Sequence, residues 1–518
     1  MVLITSAKYI NSELQSEFGK IPPSFLPLGG KRLYEYQARL FPNEKVVLSL
    51  PEDFEISYFD RKKLNNLNVR IVQVPNGISL GESIIYALNM NLPIENNIEI
   101  LHGDTYFSRL DRYKENVLSI SKAEKNYDWT YLFQDNMSIL NYSNLVLDQV
   151  EKKEDFIVSG YFNIEKPYQF IQEIIRNNYS FIEALKDYSR RSPFFILQNK
   201  TWLDFGLVSN YFHSKKFITT ERAFNTLEIK NGYVYKQSSF IGKLDGEISW
   251  FQNIPEELSL NIPRFYSNSH EIYKTEYLYL NTLSELFVFG KLPLDLWEKI
   301  FYSIKYFTSR LHNYKYNDSK KINFDFKFKT LERISLFSTE RDISLTKKWV
   351  FNQIQMPSLV DIIEDISNVI DPVKEFSFIH GDLCFSNIMY DFRSNNIKVF
   401  DPRGIDFNGN VTVYGDSRYD FAKLTHSVIG LYDLILADFF ECSIENDQIY
   451  FNIEISKDMQ TIQNTFLEIF DIETKGVIMA ITIHLFISML PLHNDNLKKQ
   501  DALFANIFRL YEIFKKVN

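Results

Sequence analysis

Short apolar runs alternate with helical patterns over the first part of the chain. Apolar runs at 46–50 and 69–74 predict strands, each closed by a proline-containing turn, and a helix is predicted over 82–92. A further strand at 98–101 leads into His102-Gly103-Asp104. Strands separated by helices of this length predict βαβ units and a mainly parallel sheet. Asp104 is therefore predicted at the carboxyl end of a strand, where such sheets bind ligands.

The pattern changes near residue 215. Two β-like runs flank Lys230-Asn231-Gly232, and Asn-Gly between such runs predicts a hairpin. After Gly242 the pattern is mostly helical, with helices predicted at 283–289, 294–311, 359–370 and 462–470. A small sheet followed by a large helical region is typical of α+β proteins. We therefore predict an α/β Rossmann-like domain over 1–217 and an α+β domain over 218–518, with the boundary inside 215–222.

Two stretches outside these elements need an interpretation. The stretch 476–492 is strongly apolar, but it is shorter than the ~20 residues that a bilayer needs and it contains His484 and Pro491. We interpret it as a buried helix and predict no membrane span. The Lys- and Tyr-rich segment 305–330 is interpreted as a solvated connection.

Composition narrows the possible classes of protein. The chain has 518 residues, 45% of them apolar and 24% charged, which indicates a folded protein of two to four domains. The net charge of −9 argues against a broad nucleic-acid-binding surface, so no nucleic-acid partner is predicted. Two cysteines, Cys384 and Cys442, fit a reducing compartment. The first residues lack the pattern of a signal peptide, and we expect a cytoplasmic protein. The sequence carries no signal for an oligomeric state.

The strongest chemical motif lies in the second half. It reads FIHGDLCFSNIMY over 378–390, followed by IKVFDPRG over 397–404. Phosphoryl transfer needs an aspartate that accepts the proton of the attacking hydroxyl, and an asparagine and a second aspartate that hold Mg²⁺ against the nucleotide phosphates. Asp382, Asn387 and Asp401 occur in that order.

The motif resembles the HGDxxxxN loop of the aminoglycoside-phosphotransferase and choline-kinase superfamily of small-molecule kinases. The resemblance covers about 219–518 and implies a two-lobed protein-kinase-like fold that binds ATP. It also implies that Asp382 is the catalytic base, that Asn387 and Asp401 are Mg²⁺ ligands, and that His380 braces the loop. Asp420, in YDFAK over 419–423, is expected to cap or brace the same loop.

Further residues have an implied or open role in this half. The resemblance implies that Lys236 pairs with Glu247 and is aimed at the α and β phosphates, with Lys243 as a rival for the lysine role. Arg403 is open between a contact to substrate or phosphate and a structural salt bridge. Cys384 is interpreted as packing, and the histidines at 312, 484 and 493 as core or surface residues rather than ligands.

Four segments of the first half resemble sugar-phosphate nucleotidyltransferases. They are SFLPLGGKRL over 24–33, Gly103-Asp104, SGYFNI over 159–164 and WLDFG over 202–206. The resemblance spans about 1–217 and implies transfer of a nucleotidyl group from an NTP to a phosphorylated small molecule, with release of pyrophosphate. Asp104 and Asp204 would hold Mg²⁺. Gly81 would lie in the turn that meets the base, and Lys31 is a candidate nucleotide-binding residue.

One departure keeps alternatives open for this half. The family's first loop, G-x-G-x-R, cradles the triphosphate, but residues 6–14 read SAKYINSEL with no glycine or arginine. Lys8, Lys20 or Lys31 is a candidate substitute. The domain is therefore an active nucleotidyltransferase, a degenerate binding domain, a glycosyltransferase-like domain that binds a nucleotide-sugar, or an α/β domain whose Asp104 and Asp204 only cap or turn the chain.

The leading interpretation is a bifunctional enzyme. The second half phosphorylates a hydroxyl of an amino alcohol, a polyol or a sugar with ATP, and the first half activates the phosphorylated compound with a second NTP, CTP being favoured. The overall resemblance is to bacterial capsule-biosynthesis proteins and implies surface-polysaccharide assembly. The alternative is a small-molecule kinase with a degenerate nucleotidyltransferase-like binding domain.

Overall fold

The computed structural model describes residues 1–94, 96–122, 130–135, 139–144, 156–218, 225–238, 241–267, 272–317, 322–470 and 475–517. The chain divides into two compact units, Met1–Thr219 and Thr220–Asn518.

The first unit is an α/β unit. Its strands are β1 Val2–Thr5, β2 Pro27–Leu28, β3 Lys31–Arg32, β4 Val46–Pro51, β5 Val69–Val74, β6 Ile98–His102, β7 Thr105–Phe107, β8 Val117–Lys122, β9 Thr130–Asp135, β10 Ile139–Asn144, β11 Phe156–Ile164, β12 Phe195–Gln198 and β13 Trp202–Asp204. Its helices are α1 Ser12–Phe18, α2 Leu33–Arg39, α3 Tyr58–Asn66, α4 Leu80–Asn89, α5 Pro167–Arg176, α6 Phe181–Arg191 and α7 Val208–Lys215.

The main sheet of this unit has a parallel centre and an antiparallel side. Strands follow the order β10-β9-β11-β6-β1-β4-β5, with β8 on β11 and β12 on β8. The pairs β6–β1, β1–β4 and β4–β5 are parallel, and β11–β6 is antiparallel. Every residue of β4 is buried, as expected of a parallel strand covered on both faces. The predicted α/β class is confirmed.

The helix predicted over 82–92 begins two residues earlier and ends three earlier than expected. Ser79 caps the helix because its hydroxyl accepts from the Glu82 backbone N–H while the Glu82 carboxylate accepts from the Ser79 N–H. The start is therefore set by the Ser-x-x-Glu pair rather than by the apolar pattern.

The second unit is an α+β unit, as predicted. Its strands are β14 Asn225–Lys230, β15 Tyr233–Ser238, β16 Phe265–Ser267, β17 Ile272–Glu276, β18 Trp349–Phe351, β19 Ile354–Met356, β20 Ser377–Phe378, β21 Ile388–Asp391, β22 Asn396–Val399, β23 Tyr414–Gly415, β24 Glu441–Glu445 and β25 Gln448–Asn452. Its helices are α8 Ile241–Asn253, α9 Leu283–Phe289, α10 Leu294–Leu311, α11 Phe326–Arg341, α12 Leu359–Asn368, α13 Arg418–Val428, α14 Tyr432–Leu436, α15 Lys457–Ile469, α16 Lys475–Met489 and α17 Leu497–Val517.

Two features of this unit position its polar motifs. An antiparallel sheet in the order β14-β15-β17-β16 packs with α8, and its first hairpin turns at Asn231-Gly232, as the sequence predicts. The helical part holds the hairpin β21–β22, which carries Asn387 just before its first strand and Asp401 just after its second.

The segment 305–330, expected to be a solvated connection, is helical at both ends and connects two helices only in its middle. α10 runs to Leu311, and α11 begins at Phe326. Both helices bury an apolar face, so Lys305 and Tyr306 at one end, and Lys327 and Lys329 at the other, belong to amphipathic helices. Tyr314 and Lys315 are exposed between the two helices.

The apolar stretch near the end forms α16, which packs against α11, α12, α13 and α17. Among the described residues, one window, Gly476–His493, is long and apolar enough to cross a membrane, with a mean hydropathy of 1.8, and 67% of it is buried within the protein. Burial of this kind is what a core helix shows.

Candidate active sites

The loop that carries His380-Gly381-Asp382 is held by a buried carboxylate of α13. Asp420 accepts from the backbone N–H of His380 at 2.9 Å and from that of Gly381 at 2.7 Å. The ring of His312 lies 3.0 Å from the same carboxylate. Asp420 therefore braces the loop, as its place in the sequence motif suggested.

His380 itself is fully buried below the loop. Its Nδ1 accepts from the Asp382 N–H at 3.3 Å, and its ring contacts the edge of Trp250. Burial lowers the pKa of His380, so the imidazole is neutral at pH 7. His380 therefore contacts the backbone of Asp382 as a neutral acceptor.

The Asp382 carboxylate is held between an amide and an ammonium. The Nδ2 of Asn387 donates to the Asp382 carbonyl at 2.9 Å and to its carboxylate at 3.1 Å, and Lys423 lies 2.8 Å from the other carboxylate oxygen. Burial alone would raise the pKa of Asp382, but the Lys423 ammonium outweighs burial and holds that pKa below its usual range. Asp382 is therefore ionised at neutral pH and able to accept a hydrogen bond from a hydroxyl.

Lys236 joins the small sheet to the helical part of the unit. Its ammonium lies 2.7 Å from the Glu247 carboxylate and also forms an ion pair with Asp401. Tyr273 donates to Glu247 at 2.6 Å. Burial works against the charge of Lys236, but its two carboxylate neighbours, Asp401 first, raise its pKa above the ordinary value. Lys236 is thus a buried cation beside Asp401, which follows β22.

The rival lysine is placed differently. Lys243 lies 3.8 Å from Glu247, is 45% exposed, and is found on α8 rather than on the sheet. The geometry therefore gives the paired-lysine position to Lys236.

α8 contacts the segment after Asp401 backbone to backbone. Gly404 has a φ of +63°, and a β-carbon there would overlap the carbonyl of Gly246 on α8. A β-carbon at Gly246 would in turn lie 2.7 Å from the Gly404 carbonyl. Only glycine fits this contact, which fixes α8, and so Glu247, relative to Asp401.

Two other residues of the motif are now placed. Cys384 is buried, and burial raises the pKa of its thiol to about 12, so it is a packing residue, in agreement with its interpretation. Arg403 donates from Nε to the Ile405 carbonyl at 3.0 Å and forms no ion pair with any described carboxylate. The structural salt bridge that the sequence left open for Arg403 is therefore absent among the described residues.

In the first unit, Asp104 and Asp204 come together on the pair β7–β13. Asp204 stands opposite Thr105, and Phe205 N–H donates to the Asp104 carbonyl at 2.9 Å. A β-carbon at Gly206 would lie 2.9 Å from the Asp104 carboxylate and 3.5 Å from that of Asp204. The two carboxylates therefore face one point, over a residue without a side chain.

The electrostatics of this pair favour a bound cation. Burial, and then the nearby Asp104 carboxylate, raise the pKa of Asp204 to about 7, although the Asn210 amide donates to Asp204 at 2.6 Å. Two like charges in a buried place are costly, and a cation between them would relieve the repulsion.

Each candidate Mg²⁺ position offers two side chains. Among the described residues, no group of three or more His, Cys, Asp or Glu side chains comes together in a way that could hold a metal ion. Mg²⁺ is usually held by one or two carboxylates together with substrate phosphates and water. Asp104 with Asp204, and Asp401 with Asn387, fit that kind of site.

The two remaining candidates of this unit, Gly81 and Lys31, lie on α4 and β3. Gly81 lies in the first turn of α4, not in an open turn, and a β-carbon there would overlap the Tyr179 carbonyl. Its smallness is required by close packing of α4 on the segment after α5. The ammonium of Lys31 lies 5.9 Å from the centre of the Tyr36 ring, and no described contact joins it to the two aspartates.

The segment that replaces the glycine-rich loop is occupied by structural contacts. The Ser6 N–H donates to Ser49 at 3.1 Å, its hydroxyl accepts from the Ser24 N–H at 3.0 Å, and Asn11 donates to the Gly206 carbonyl at 2.8 Å. Of the candidate substitutes, Lys20 pairs with Asp53 at 2.9 Å, and Lys8 is exposed.

The sequence reading missed two polar contacts of the second unit. Lys423 contacts Asp382 directly, and His312 contacts Asp420. A signal for Lys423 was present, because it lies three residues after Asp420 and four after Tyr419 on α13, and so on the same face of the helix. His312 had no local signal, since its partner is 108 residues away.

No protein-family model matches the chain, and no curated protein matches it. Solved structures similar to it include two groups. A nucleoside-diphosphate-sugar pyrophosphorylase from Vibrio cholerae RC9 is 10% identical, covers 42% of this chain and 99% of its own, and has a TM-score of 0.36. An inositol-1-phosphate CTP transferase from T. maritima is 15% identical and covers 40% of this chain and 90% of its own, with a TM-score of 0.32.

The second group consists of aminoglycoside phosphotransferases. An APH(2") enzyme in complex with GDP and kanamycin is 14% identical, covers 58% of this chain and 92% of its own, and has a TM-score of 0.35. The two groups agree with the two-part resemblance read from the motifs. At these TM-scores the fold class rests on the strand order and helices described above.

Proposed function

We propose that the second unit is a small-molecule kinase that transfers the γ-phosphoryl group of ATP to a hydroxyl. The observation that carries the proposal is the placement of Lys236 between Glu247 and Asp401, in the same unit as a braced loop that presents an ionised Asp382 next to Asn387. Phosphoryl transfer needs three such groups: a buried ammonium, here Lys236, a carboxylate that can hold Mg²⁺, here Asp401, and a carboxylate that can accept a proton, here Asp382.

The reaction follows from these residues. Asp382 orients the acceptor hydroxyl by accepting its hydrogen bond and takes its proton as the oxygen forms a bond to the γ-phosphorus. The bond from the γ-phosphorus to the bridging oxygen breaks, and ADP leaves. Lys423 keeps Asp382 ionised before the step, and Lys236 offers positive charge to the phosphates. Mg²⁺ held by Asn387 and Asp401 would neutralise phosphate charge.

We also propose that the first unit transfers a nucleotidyl group. A phosphate oxygen of the phosphorylated compound would attack the α-phosphorus of an NTP, and pyrophosphate would leave. Asp104 and Asp204 would hold Mg²⁺ between the two anionic partners. The converging carboxylates over Gly206 support this role, since an ordinary cap or turn does not need a second carboxylate beside buried Asp204.

A second candidate for the first unit is a binding domain without catalysis. It is favoured by the segment 6–11, where Ser6 and Asn11 make structural contacts and no glycine is present to cradle a triphosphate. A nucleotide-sugar-binding domain would share the aspartate pair but would release no pyrophosphate from an NTP.

Together the two activities would turn a hydroxyl compound into an NDP-activated one. CTP is the favoured second nucleotide, and supply of an activated group to surface-polysaccharide assembly in the cytoplasm is the proposed setting.

Phosphorus NMR of the purified full-length protein tests both halves. The protein is incubated with Mg²⁺, ATP, one further NTP at a time, and a panel of amino alcohols, polyols, sugars and their phosphates. We expect a phosphomonoester that is absent with Asp382→Asn, and a diphosphate diester with pyrophosphate that is absent with Asp104→Asn. A monoester that persists in Asp382→Asn would contradict the kinase proposal. A monoester without diester, across all NTPs and supplied phosphates, would favour the binding domain.

A further inference from the structure

Three cations surround two aromatic rings next to Asp382, in a group that we call the basic cluster: Lys329, Arg403, Lys423, Phe407 and Tyr419. Lys329 lies on α11 with its ammonium 3.9 Å from the centre of the Phe407 ring, and Arg403 lies 5.3 Å from the same ring. The Tyr419 ring has Lys329 at 5.8 Å and Lys423 at 5.9 Å.

The basic cluster adjoins the proton-accepting aspartate. Lys423 pairs with Asp382, and a β-carbon at Gly381 would lie 2.7 Å from the β-carbon of Arg403. A small cavity beside Lys329 has a mostly apolar lining, formed by Phe326, Phe407, Tyr419 and Leu485 together with Thr330, His484 and Ser488. A compound whose hydroxyl reaches Asp382 would therefore lie against this cluster.

The positive charge of the basic cluster is not balanced by nearby carboxylates. Among the described residues, Lys329 and Arg403 form no ion pair, and Asp382 is already paired with Lys423. Asp406, which precedes Phe407, accepts from the backbone N–H groups of Asn323, Asn408 and Asn410 and from the Asn410 amide, and it forms no ion pair with any described cation.

The pKa of Lys329 agrees with this excess of positive charge. Burial, followed by repulsion from Arg403, Lys423 and Arg333, holds the pKa of Lys329 well below its ordinary value, and the pull of Asp382 does not compensate. A bound anion would stabilise the charged form of Lys329, because it would supply the negative charge that the surroundings lack.

We infer that the hydroxyl compound phosphorylated by the second unit carries its own negative charge, a phosphate or a carboxylate, which Lys329 and Arg403 bind. The inference rests on the kinase activity proposed above. It disfavours the amino alcohols among the expected acceptors. A cationic acceptor would need free aromatic faces and a carboxylate, but the faces of Phe407 and Tyr419 already hold the protein's own cations.

Matched acceptors that differ in charge test the inference in the full-length protein. Glycerol is compared with glycerol 3-phosphate and glycerate, glucose with glucose 6-phosphate, and choline serves as the cation. Comparison of the phosphate-bearing acceptors with glycerate shows which anionic group is preferred. We expect an anionic acceptor to have the highest kcat/KM. Lys329→Met should lower kcat/KM for it by roughly 10- to 100-fold, mainly through KM, which is the range for loss of a charged hydrogen bond.

Two further variants distinguish a loss of acceptor binding from a loss of folding. Lys329→Arg should retain the preference for anions. Lys327→Met, on the same helix at an exposed pair with Glu364, should leave kinetics unchanged. Preference for a neutral or cationic acceptor, with transfer still abolished by Asp382→Asn, would overturn the inference and leave the kinase proposal standing. Transfer that persists in Asp382→Asn would overturn the kinase proposal itself.

A measurement without turnover decides the case where no acceptor in the panel reacts. Lysines of the full-length protein are reductively methylated with a ¹³C label, and the Lys329 signal is assigned with Lys329→Arg. We expect inorganic phosphate in the millimolar range to shift this signal and raise the pKa of the amine, and choline to leave both unchanged. No response to phosphate, or a response to choline, would overturn the inference.

Discussion

Lys236 is a buried ammonium whose two carboxylate partners come from different parts of the second unit. Glu247 lies on α8 and Asp401 follows β22, so one side chain links the sheet, the helix and the hairpin. Such a charge is stable only while both partners stay ionised and close. In the proposed kinase, Asp401 would contribute to holding Mg²⁺, and Lys236, still paired with Glu247, would offer its charge to a phosphate.

Replacement of this lysine tests its role against that of its neighbour. We expect Lys236→Met to lower kcat for phosphoryl transfer by roughly 10²- to 10³-fold, because an electrostatic partner of the transferred group is lost. Lys243→Met is the control, since Lys243 is 45% exposed and lies 3.8 Å from Glu247. Steady-state kinetics of both variants, with circular dichroism to verify folding, make the comparison. An equal or larger loss in Lys243→Met would assign the role to the rival lysine.

At the scale of elements, the contact between α8 and the segment after Asp401 is set by two glycines. Gly246 and Gly404 meet backbone to backbone, and Gly404 also has a left-handed φ of +63°. This is the place where the position of a helix, and with it Glu247, depends on the absence of a side chain.

A single methyl group should disturb this contact. We expect Gly404→Ala to lower the free energy of unfolding by about 2 kcal/mol or more, from strain at positive φ and from overlap with the Gly246 carbonyl. Kinase activity should fall with it, because α8 is displaced. Gly242→Ala in the same helix has open space around it, so its stability should be unchanged or higher by up to about 1 kcal/mol. Urea unfolding and kinetics check both, and equal behaviour of the two variants would contradict this account.

Helix α16 contains a histidine that should make the protein sensitive to acid. His484 is 2% exposed and contacts the Thr330 hydroxyl at 2.9 Å and the Ser367 hydroxyl at 3.3 Å. Burial, with a smaller contribution from Lys327, lowers its pKa to about 3. The unfolded chain binds a proton near pH 6.5 and the folded chain does not, so stability is full above about pH 6.5 and falls as the pH drops toward 3.

The expected loss at pH 5 from this one group is about 2 kcal/mol, at about 1.4 kcal/mol per pH unit. His484→Gln, which can retain hydrogen bonds but does not titrate, should flatten the decline between pH 7 and pH 5. His380 and His426 are also buried with lowered pKa values, so part of the decline should remain. Urea midpoints of wild type and variant across this range are the measurement, and parallel curves would refute the assignment.

The elements that the sequence predicted well are those with strong local patterns. β5 and α10 begin and end at the predicted residues, because alternation in one and a helical apolar stripe in the other decide the structure locally. The order and spacing of Asp382, Asn387 and Asp401 were likewise readable, since the three lie on one loop and hairpin.

What the sequence could not predict depends on contacts between distant segments. The contact of Gly81 with the Tyr179 carbonyl, and that of Gly246 with Gly404, join positions about 100 to 160 residues apart and leave no local trace. The lysine-rich pattern around Lys329 predicts a solvated connection, although Lys329 lies on α11. The ring that its ammonium contacts, that of Phe407, lies in the segment after Asp401, far from α11 in the sequence.

At the scale of the whole molecule, the basic cluster contrasts with the overall charge. The chain carries a net charge of −9, yet Lys329, Arg403 and Lys423 gather beside Asp382. The net negative charge of the protein repels anions, so a site for an anionic substrate needs a local concentration of cations. In the second unit, whose acceptor is inferred to be anionic, the basic cluster supplies this local positive charge.

The two compact units carry separate sets of functional residues, so their activities should be separable by mutation. Asp382→Asn should abolish formation of the monoester but leave transfer to a supplied phosphorylated compound, and Asp104→Asn should do the reverse. A mixture of the two variant proteins should then form the diester from the unphosphorylated compound, after a lag in which the monoester accumulates in solution. Phosphorus NMR follows all three species over time.

The two variants assayed alone are the controls, since neither should form the diester. If the mixture makes monoester but no diester, while Asp382→Asn converts supplied monoester, the intermediate is not released to solution. If neither variant converts supplied monoester, the first unit does not catalyse nucleotidyl transfer.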